Sequence, residues 1–427
     1  MNILTVVKER INEFFKEYWR FGKNSRLLML ITAGFISALG SQISYFALLR
    51  KVYDITNGKI TNLGFLSILE TLPFVIFGPF AGYVADRVSR KKIMLTSDLL
   101  NGIVILMLIK ITDIRVVYCV AFMASFVNVF RRPAQSALEP NLVEREDIVL
   151  LNSFKSTFNS ITSIIGSAAG AAIVGFVGIR NSFKIDSATF FVSAAIISFI
   201  FINEQHVFKT KESKEKGHKS KEFKEGISIM WRDGKIKLMI LIDLYLTFAM
   251  AMQGVLIYFF VKQTLKMGSK AELAWGILLS SLGIGAVIGS LVIGLYVKRS
   301  KNRFKLFLNI LLFDSLFLTM FLLNRYFPLS VVIFAFLGCI GTAHNLILNS
   351  VLQDTVSDEN RGKVFGVYAM LNGPVAILSI LVGTWSAKYL TALTVLFIAA
   401  FIEAAIAIGV RFTKTYKMVE KNLEKNF

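Results

Sequence analysis

Residues 82–92 read Gly-Tyr-Val-Ala-Asp-Arg-Val-Ser-Arg-Lys-Lys, and this short charged stretch lies between two long apolar segments. The apolar segments, at roughly 60–85 and 93–111, are each about as long as an α-helix must be to cross the bilayer core. The charged stretch is too polar to enter lipid. The sequence therefore predicts a hairpin of two transmembrane helices with a basic loop at the membrane surface.

The composition of the whole chain supports a membrane protein. The 427 residues are 55% hydrophobic and include 38 Phe, with a mean hydropathy of +0.61. A soluble fold could not hide that much apolar surface from water. The net charge of +20 comes from Lys and Arg in short runs between apolar segments, which predicts basic loops and no nucleic-acid surface.

Apolar segments of spanning length recur along the chain, without the alternating pattern of barrel strands. We predict an all-α polytopic membrane protein with twelve transmembrane helices. The expected spans are 27–50, 60–85, 93–111, 114–130, 152–178, 183–203, 237–261, 273–297, 304–324, 328–350, 364–387 and 390–411.

The distribution of basic residues predicts the orientation. With the N-terminus inside, the cytoplasmic segments hold roughly three times as many Lys and Arg as the outer loops, as the positive-inside rule requires. An even number of spans places both termini on the same side. We therefore expect both termini in the cytoplasm of a cell whose plasma or inner membrane holds the protein.

An internal repeat predicts two similar halves. At an offset of 212 residues, Gly82 corresponds to Gly294 and Arg87 to Arg299, each pair at the same helix junction. We expect two pseudo-symmetric six-helix bundles, joined by a segment too charged to span and too poor in apolar residues to fold alone. The expected regions are an amphipathic cytoplasmic lead-in at 1–26, halves at 27–203 and 237–411, a cytoplasmic linker at 204–236 and a cytoplasmic tail at 412–427.

The 82–92 loop resembles the signature loop of the major facilitator superfamily, which runs Gly, three residues, Asp-Arg, two residues and a basic cluster. Val84 and Ser89 replace the usual Leu and second Gly. The resemblance implies the twelve-helix major facilitator fold and a conformational latch on the cytoplasmic face. The latch residues would be Gly82, Asp86, Arg87, Arg90 and Lys91. The alternative is a basic loop that only sets topology.

Further stretches resemble the branch that holds macrolide-efflux and enterobactin-exporter proteins. These stretches are 26–98, 130–134, 138–143 and 361–366. One region departs from the exporters, because Ser167 stands where they commonly carry Pro in helix 5. Gly166 and Gly170 flank it and are expected to allow close helix packing. The direction of transport stays open at this point.

Polar residues inside apolar segments are candidates for function, since an acid in the membrane is costly. The candidate proton or substrate residues are Glu70, Asp243, Gln42, Asn159 and Asn345. For Glu70 the alternative is a protonated acid bonded to a neighbouring helix. Structural roles are expected for Asp314, Glu403 and His344.

Two prolines mark expected bends in gating helices. They are Pro73 in helix 2 and Pro374 in helix 11. Such bends would help a transporter alternate between two states, although local packing alone could also explain them.

Several kinds of site are missing from the sequence. It has no phosphate-binding loop, no metal-ligand cluster and no nucleophile with a base, so we expect neither an enzyme nor a cofactor or metal. The free cysteines Cys119 and Cys339 lie in apolar segments and imply no disulfide.

The resulting hypothesis is proton-coupled efflux of small amphipathic compounds, macrolide or other drug-like molecules, by alternating access. We expect a monomer in the lipid bilayer with a small-molecule substrate. The alternatives are an exporter or importer of a siderophore-like or lipid-like metabolite, and a non-transporting membrane receptor on the same scaffold.

Overall fold

The structure is a computed structural model that describes residues 24–144, 147–201, 218–299, 302–414 and 416–418. The expected lead-in at 1–26 lies almost entirely outside the described residues. The end of the expected tail and the first part of the expected linker also lie outside the described residues. Every regular element in the described ranges is helical.

The described residues between 24 and 201 form five helices. They are α1 (Ser25–Ile55), α2 (Ile60–Ala85), α3 (Arg90–Met107), α4 (Ile114–Leu138) and α5 (Ile148–Ser198). A 3-10 turn at Glu139–Leu142 extends α4.

Seven helices are described from residue 218 onwards. They are α6 (His218–Arg232), α7 (Gly234–Phe259), α8 (Ala271–Arg299), α9 (Arg303–Leu323), α10 (Phe327–Thr355), α11 (Asp358–Tyr389) and α12 (Ala392–Gly409). A π-helical turn at Phe260–Thr264 extends α7, and 3-10 turns occupy Gly268–Lys270 and Val410–Phe412.

Ten helices in the described residues are long and apolar enough to span a membrane. Two features account for the twelve spans expected from the sequence. The backbone of α5 leaves helical geometry at Gly178 (φ 79°, ψ 167°), which divides it into two segments of spanning length where the sequence predicts a boundary. A residue with a side chain would be strained at that φ. The other feature is α3, whose basic first turn and Asp98 lower its apolarity.

Side-chain caps fix the first turns of several helices. Ser89 accepts a hydrogen bond from the Lys92 backbone N–H (3.2 Å) at the start of α3, and Asp113 accepts one from Arg115 (2.8 Å) at the start of α4. Each cap satisfies a backbone donor that a helix leaves free at its first turn. The loops that enter these helices are therefore positioned by their own sequence.

The chain forms two compact units. Unit 1 comprises residues 1–51 and 76–213, and unit 2 comprises residues 52–75 and 214–427. The core of unit 1 is built around Leu30, Met94 and Leu138, and that of unit 2 around Met239 and Phe307. The end of α1 and the first part of α2 thus belong to unit 2.

Close backbone contact joins α8 and α10 inside unit 2. A Cβ placed at Gly285 would lie 1.7 Å from the Ala335 carbonyl oxygen, and one at Gly338 would lie 1.9 Å from the Leu282 carbonyl oxygen. Small residues at such contacts let helices approach until their backbones touch, which is how helices associate in lipid. The sequence analysis did not single out this contact.

Part of the expected linker is helical and packed. Helix α6 lies on α11, where Met230 is buried and Lys363 Nζ is 2.7 Å from Glu225 Oε2. A Cβ at Gly226 would lie 2.7 Å from the Lys363 carbonyl oxygen. The segment is poor in apolar residues, but it folds because α11 supplies the surface on which its few apolar residues are buried.

Candidate functional site

The predicted latch loop connects α2 and α3 in unit 1. The Arg87 guanidinium lies over the Tyr83 ring, 3.8 Å from its centroid. Among the described residues, a Cβ placed at Gly82 would meet no atom within 4 Å outside its own helix, so a side chain could be accommodated here. The Asp86 backbone N–H is bonded to the Gly82 carbonyl (3.1 Å).

Two basic residues in the last part of the 82–92 loop, at the start of α3, connect α3 to its neighbours. Arg90 donates to the carbonyl oxygens of Ala85 (Nε, 3.3 Å) and Ala137 (Nη1, 2.5 Å), and Lys91 donates to that of Ser198 (2.8 Å). These carbonyls end α2, α4 and α5, which leave them without partners in their own helices. Arg90 and Lys91 therefore hold the loop in a fixed place within unit 1.

A buried ion pair lies at the centre of unit 1. Arg131 of α4 contacts Asp98 of α3 through Nε–Oδ1 at 2.5 Å and Nη2–Oδ2 at 3.4 Å. Ser193 Oγ donates to the same carboxylate at 2.6 Å, and Ser37 Oγ accepts from Arg131 at 3.1 Å. This arrangement satisfies both charges inside apolar helices, as a buried pair requires.

The network continues along α4. Arg131 Nη1 donates to Gln135 (2.8 Å), Gln135 donates to Glu139 (2.8 Å), and Glu139 forms an ion pair with Lys155 of α5. This network was not predicted from the sequence. Part of the signal was present, because Asp98 and Lys155 are charges inside expected spans and such charges usually pair, but Arg131 lies just beyond the expected end of its span.

A polar cavity of about 510 Å³ lies beside this network. Arg131, Arg132, Glu139 and Lys155 line it together with the predicted candidate Asn159. Gln42, another candidate, lies instead at the contact of α1 with α5. A Cβ at Gly166 would lie 3.0 Å from Gln42 Cγ, and one at Gly170 would lie 3.0 Å from the Gln42 carbonyl oxygen.

Unit 2 holds a second buried cluster around the candidate Asp243. His344 Nε2 lies 2.7 Å from Asp243 Oδ1, and the Tyr368 hydroxyl donates to Asp243 Oδ2. Asp243 is 5% exposed, so α7, α10 and α11 meet at one carboxylate. From the sequence, His344 was expected to have only a structural role, and Tyr368 was not among the candidate residues.

A mostly apolar cavity of about 210 Å³ adjoins this cluster. His344 and the candidate Asn345 line it, as do Asp314 of α9 and Glu403 of α12. The Asp314 and Glu403 carboxyl groups are close enough to interact with each other, so that a proton on one can serve the other. Unit 2 therefore brings two carboxyl groups and one imidazole to the wall of one small cavity, and the imidazole is bonded to a third carboxyl group, Asp243, behind it.

The candidate Glu70 lines neither cavity. It is half-buried on the part of α2 that belongs to unit 2. The expected bends lie near one another there, because a Cβ at Gly373 would lie 2.5 Å from Val75 Cγ2. Helices α2 and α11 run through Pro73 and Pro374 without interruption.

A charged cluster at the end of α7 was also missed. Lys262 Nζ lies 3.2 Å from Glu272 Oε1 and 3.6 Å from the centre of the Tyr53 ring. The Tyr258 hydroxyl donates to the same Glu272 oxygen at 2.8 Å. These contacts attach the end of α1 to α7 and α8 within unit 2.

The chemistry available to these groups is binding and proton exchange. No group of three or more His, Cys, Asp or Glu side chains in the described ranges could hold a metal ion. Titratable groups that are buried, bonded to one another and next to a cavity are candidates for sites that change charge during function.

Comparison with known proteins gives a consistent result. The family model described as the Major Facilitator Superfamily matches residues 30–380. Macrolide efflux protein A of Streptococcus pyogenes is 24% identical over 357 residues, covering 82% of this chain and 85% of the relative. A Bacillus subtilis protein named "Putative bacilysin exporter BacE" is 26% identical over 352 residues, covering 81% of this chain and 84% of the relative.

The crystal structure of the nucleoside transporter NupG has a similar fold. Its TM-score is 0.71 at 17% identity, covering 90% of this chain and 98% of NupG. At that identity the likeness shows the fold alone. The match to the family model extends over most of the sequence, and the expected resemblance and fold class are confirmed. This chain is a multi-pass membrane transporter, not an enzyme, and it belongs to the Major Facilitator Superfamily.

Proposed function

We propose that this transporter is a secondary active exporter of small amphipathic compounds, driven by the proton gradient and working by alternating access. Two relatives that cover most of the chain are named for efflux or export, which favours the outward direction. The apolar cavity in unit 2, with acids and amides at its wall, suits a substrate with an apolar body and a polar group.

The cluster around Asp243 is the single observation that carries the proton coupling. The Asp243 carboxylate has an imidazole at 2.7 Å from one oxygen and a phenol bonded to the other. Its protonation can change only if these partners rearrange. Because Asp243, His344 and Tyr368 come from three different helices, a proton taken up here alters how those helices pack. Glu70 is the second candidate carrier, on the part of α2 that packs with unit 2.

The 82–92 loop is proposed as the cytoplasmic latch, with both termini on the cytoplasmic side. Arg90 and Lys91 bind carbonyl groups of unit 1 and hold the loop in place. Gly82, Asp86 and Arg87 then sit at a fixed position where contacts can form in one state and break in the other. The positive charge of the loop agrees with a cytoplasmic location.

The test is transport into inside-out vesicles with an imposed pH gradient. A radiolabelled macrolide and a fluorescent amphipathic dye are the probes, and the proteins are wild type, Asp86→Asn, Glu70→Gln and Asp243→Asn. We expect gradient-dependent accumulation by wild type and at least about a tenfold loss of rate in Asp86→Asn and Asp243→Asn, the effect of removing one charged partner.

Asp113→Asn is the matched control, because Asp113 is exposed and Asn caps a helix equally well. It should transport like wild type. If Glu70→Gln accumulates the probes as fast as wild type does, the Glu70 carboxyl is excluded as the proton carrier. No accumulation of either probe by correctly inserted wild type would refute efflux of these compounds.

A further inference from the structure

The carboxyl pair of Asp314 and Glu403 forms no ion pair with a Lys or Arg side chain among the described residues, and the basic group that acts on Asp314 is the His344 imidazole. In unit 1 the buried carboxylates of Asp98 and Glu139 each contact a basic side chain, Arg131 and Lys155. In unit 2 the imidazole of His344 is bonded to Asp243, which leaves it committed to that carboxylate. The pair can avoid a double negative charge by sharing a proton between its carboxyl groups.

Glu403 itself is 1% exposed, and apart from a proton shared with Asp314 neither of its carboxylate oxygens has a hydrogen-bond donor among the described residues. A buried carboxylate without a donor is expensive, and in a folded protein such a group usually faces a partner. Glu403 and Asp314 both line the 210 Å³ cavity. The unsatisfied acceptor therefore points to a ligand that donates hydrogen bonds and carries positive charge.

Two more buried polar atoms at the same cavity lack hydrogen-bond partners in the described part of the chain. They are Trp275 Nε1 of α8 and His344 Nδ1 of α10. Trp275 Nε1 can only donate, so it calls for an acceptor. His344 Nε2 is bonded to Asp243, and in the neutral ring that carries its proton on Nε2 the Nδ1 atom accepts. A proton shared between Asp314 and Glu403 would give a partner to neither Trp275 Nε1 nor His344 Nδ1.

The remaining walls of the cavity are apolar and set the size of the ligand. Leu246, Leu282, Ile310 and Phe334 are among the lining residues. A cavity of about 150 Å³ is enough to hold benzene, so 210 Å³ accommodates one substituted ring. On one side the lining includes the exposed residues Met250, Gly254 and Asn345, which form an opening.

We infer that this cavity binds a small apolar amine in its protonated form. The ammonium group donates to the carboxyl pair of Asp314 and Glu403 and to His344 Nδ1. A hydroxyl, ether or carbonyl oxygen of the ligand accepts from Trp275 Nε1, and the ring contacts the apolar wall. The inference rests on the proposed function only in treating such an amine as a substrate, since binding itself is independent of transport.

Protons compete with the amine at this site. With one shared proton the carboxyl pair carries one negative charge and attracts an ammonium group, and a second proton removes that charge. The other titratable groups facing the pair are Tyr245 of α7 and His344 of α10, and His344 is in turn linked to Asp243 of α7 and through it to Tyr368 of α11. Lowering the pH therefore weakens binding, and binding releases protons.

The experiment is isothermal titration calorimetry on the full-length protein in lipid nanodiscs. The probe is 2-amino-1-phenylethanol, and the matched neutral ligand is 1-phenylethane-1,2-diol, in which a hydroxyl replaces the amine. We expect the amine to bind at least about tenfold more tightly than the diol, the difference that one charged hydrogen bond makes. Affinity should fall between pH 7.5 and 5.5, and the apparent enthalpy should depend on the buffer because protons are released.

Two kinds of variant test the location. Glu403→Gln and Asp314→Asn should each weaken binding of the amine by at least about tenfold, with Asp113→Asn as the control. Gly341→Val tests independently whether the amine binds in this cavity, even if the acid variants fold poorly. A Cβ at Gly341 meets no protein atom within 4 Å and lies at the cavity wall, so the valine fills ligand space and should abolish binding. Gly175→Val, where a Cβ also meets no atom within 4 Å, is its control.

Equal affinity for the amine and the diol overturns the inference, as does no binding to wild type or unchanged binding in Gly341→Val. The same inside-out vesicles separate this outcome from failure of the proposed function. Macrolide efflux with no amine binding would leave the exporter and remove this site. Amine binding without any gradient-driven transport would keep the site and refute the export mechanism.

Discussion

Arg131 and Asp98 are single residues whose pairing decides whether the core of unit 1 is stable. Both are buried, with Asp98 at 0% and Arg131 at 8% exposure, and Arg131 also holds Ser37 and Gln135. Removing one partner of a buried pair costs about 3–5 kcal/mol, because the other charge is left without compensation. We expect Arg131→Ala to lower the apparent melting temperature in detergent strongly, or to prevent recovery of folded protein.

The control for this prediction is Arg87→Ala. Arg87 contacts the Tyr83 ring, and such an exposed contact contributes only about 0.5–1 kcal/mol. In the double variant Arg131→Gln, Asp98→Asn both charges are removed, and part of the lost stability should return. If Arg131→Ala melts like Arg87→Ala, the ion pair does not stabilise unit 1.

At the scale of helices, two glycines should respond in opposite ways to substitution by Ala. Gly285 lies at the contact between α8 and α10, and Gly175 lies in α5, where the space beside it is open. Gly285→Ala places a Cβ 1.7 Å from the Ala335 carbonyl oxygen, so the helices must separate and stability falls. Gly175→Ala, where a Cβ meets no atom within 4 Å, should gain up to about 1 kcal/mol from helix propensity. Melting of the two purified variants measures both effects. A Gly285→Ala variant as stable as wild type would contradict the close packing.

Helix α6 gives a second prediction at this scale. Gly226→Leu drives a side chain into the Lys363 carbonyl oxygen and Val367 Cγ2, at 2.7 and 2.8 Å from the Cβ, and should release α6 from α11. Hydrogen–deuterium exchange in residues 218–232 should then rise by at least about tenfold. Glu225→Gln removes only a partly exposed ion pair, worth at most about 1 kcal/mol, and should change exchange little. Unchanged exchange in Gly226→Leu would show that α6 does not depend on this contact.

For the whole molecule, the packing of residues 52–75 into unit 2 is the feature with mechanistic consequences. The sequence assigns these residues to the first six-helix half, whereas contacts place them with residues 214–427. A Cβ at Gly64 would lie 2.8 Å from Thr384 Cβ, so a small separation brings a cysteine pair into disulfide geometry. If residues 52–75 move with the first six-helix half, to which the sequence assigns them, alternating access opens and closes this contact during each cycle.

We therefore expect the variant Gly64→Cys, Thr384→Cys to lose transport on oxidation and to regain it on reduction. The background is Cys119→Ser, Cys339→Ala, which removes the two native thiols. Transport in inside-out vesicles and mobility on a non-reducing gel are the measurements, and Gly64→Cys alone under oxidant is the control. Continued transport by fully cross-linked protein would contradict movement at this contact.

The sequence by itself determined the class of this protein, its membrane-spanning segments and its family. Lipid requires each spanning segment to satisfy its own backbone, so every span must be long and apolar, and such segments can be read one at a time. The loop around Asp86 and the boundary at Gly178 could be predicted for the same reason, because both are local features of the chain.

The tertiary structure decided which polar residues meet. Glu70, chosen from the sequence, lines neither cavity, whereas Asp314, Glu403 and His344, expected to be structural, surround one of them. Asp98 pairs with Arg131, which is 33 positions away in the sequence, and Asp243 pairs with His344, which is 101 positions away. Such pairings depend on which faces of the helices turn towards each other. Apolar composition cannot determine that rotation, because lipid and a neighbouring helix solvate apolar side chains equally well.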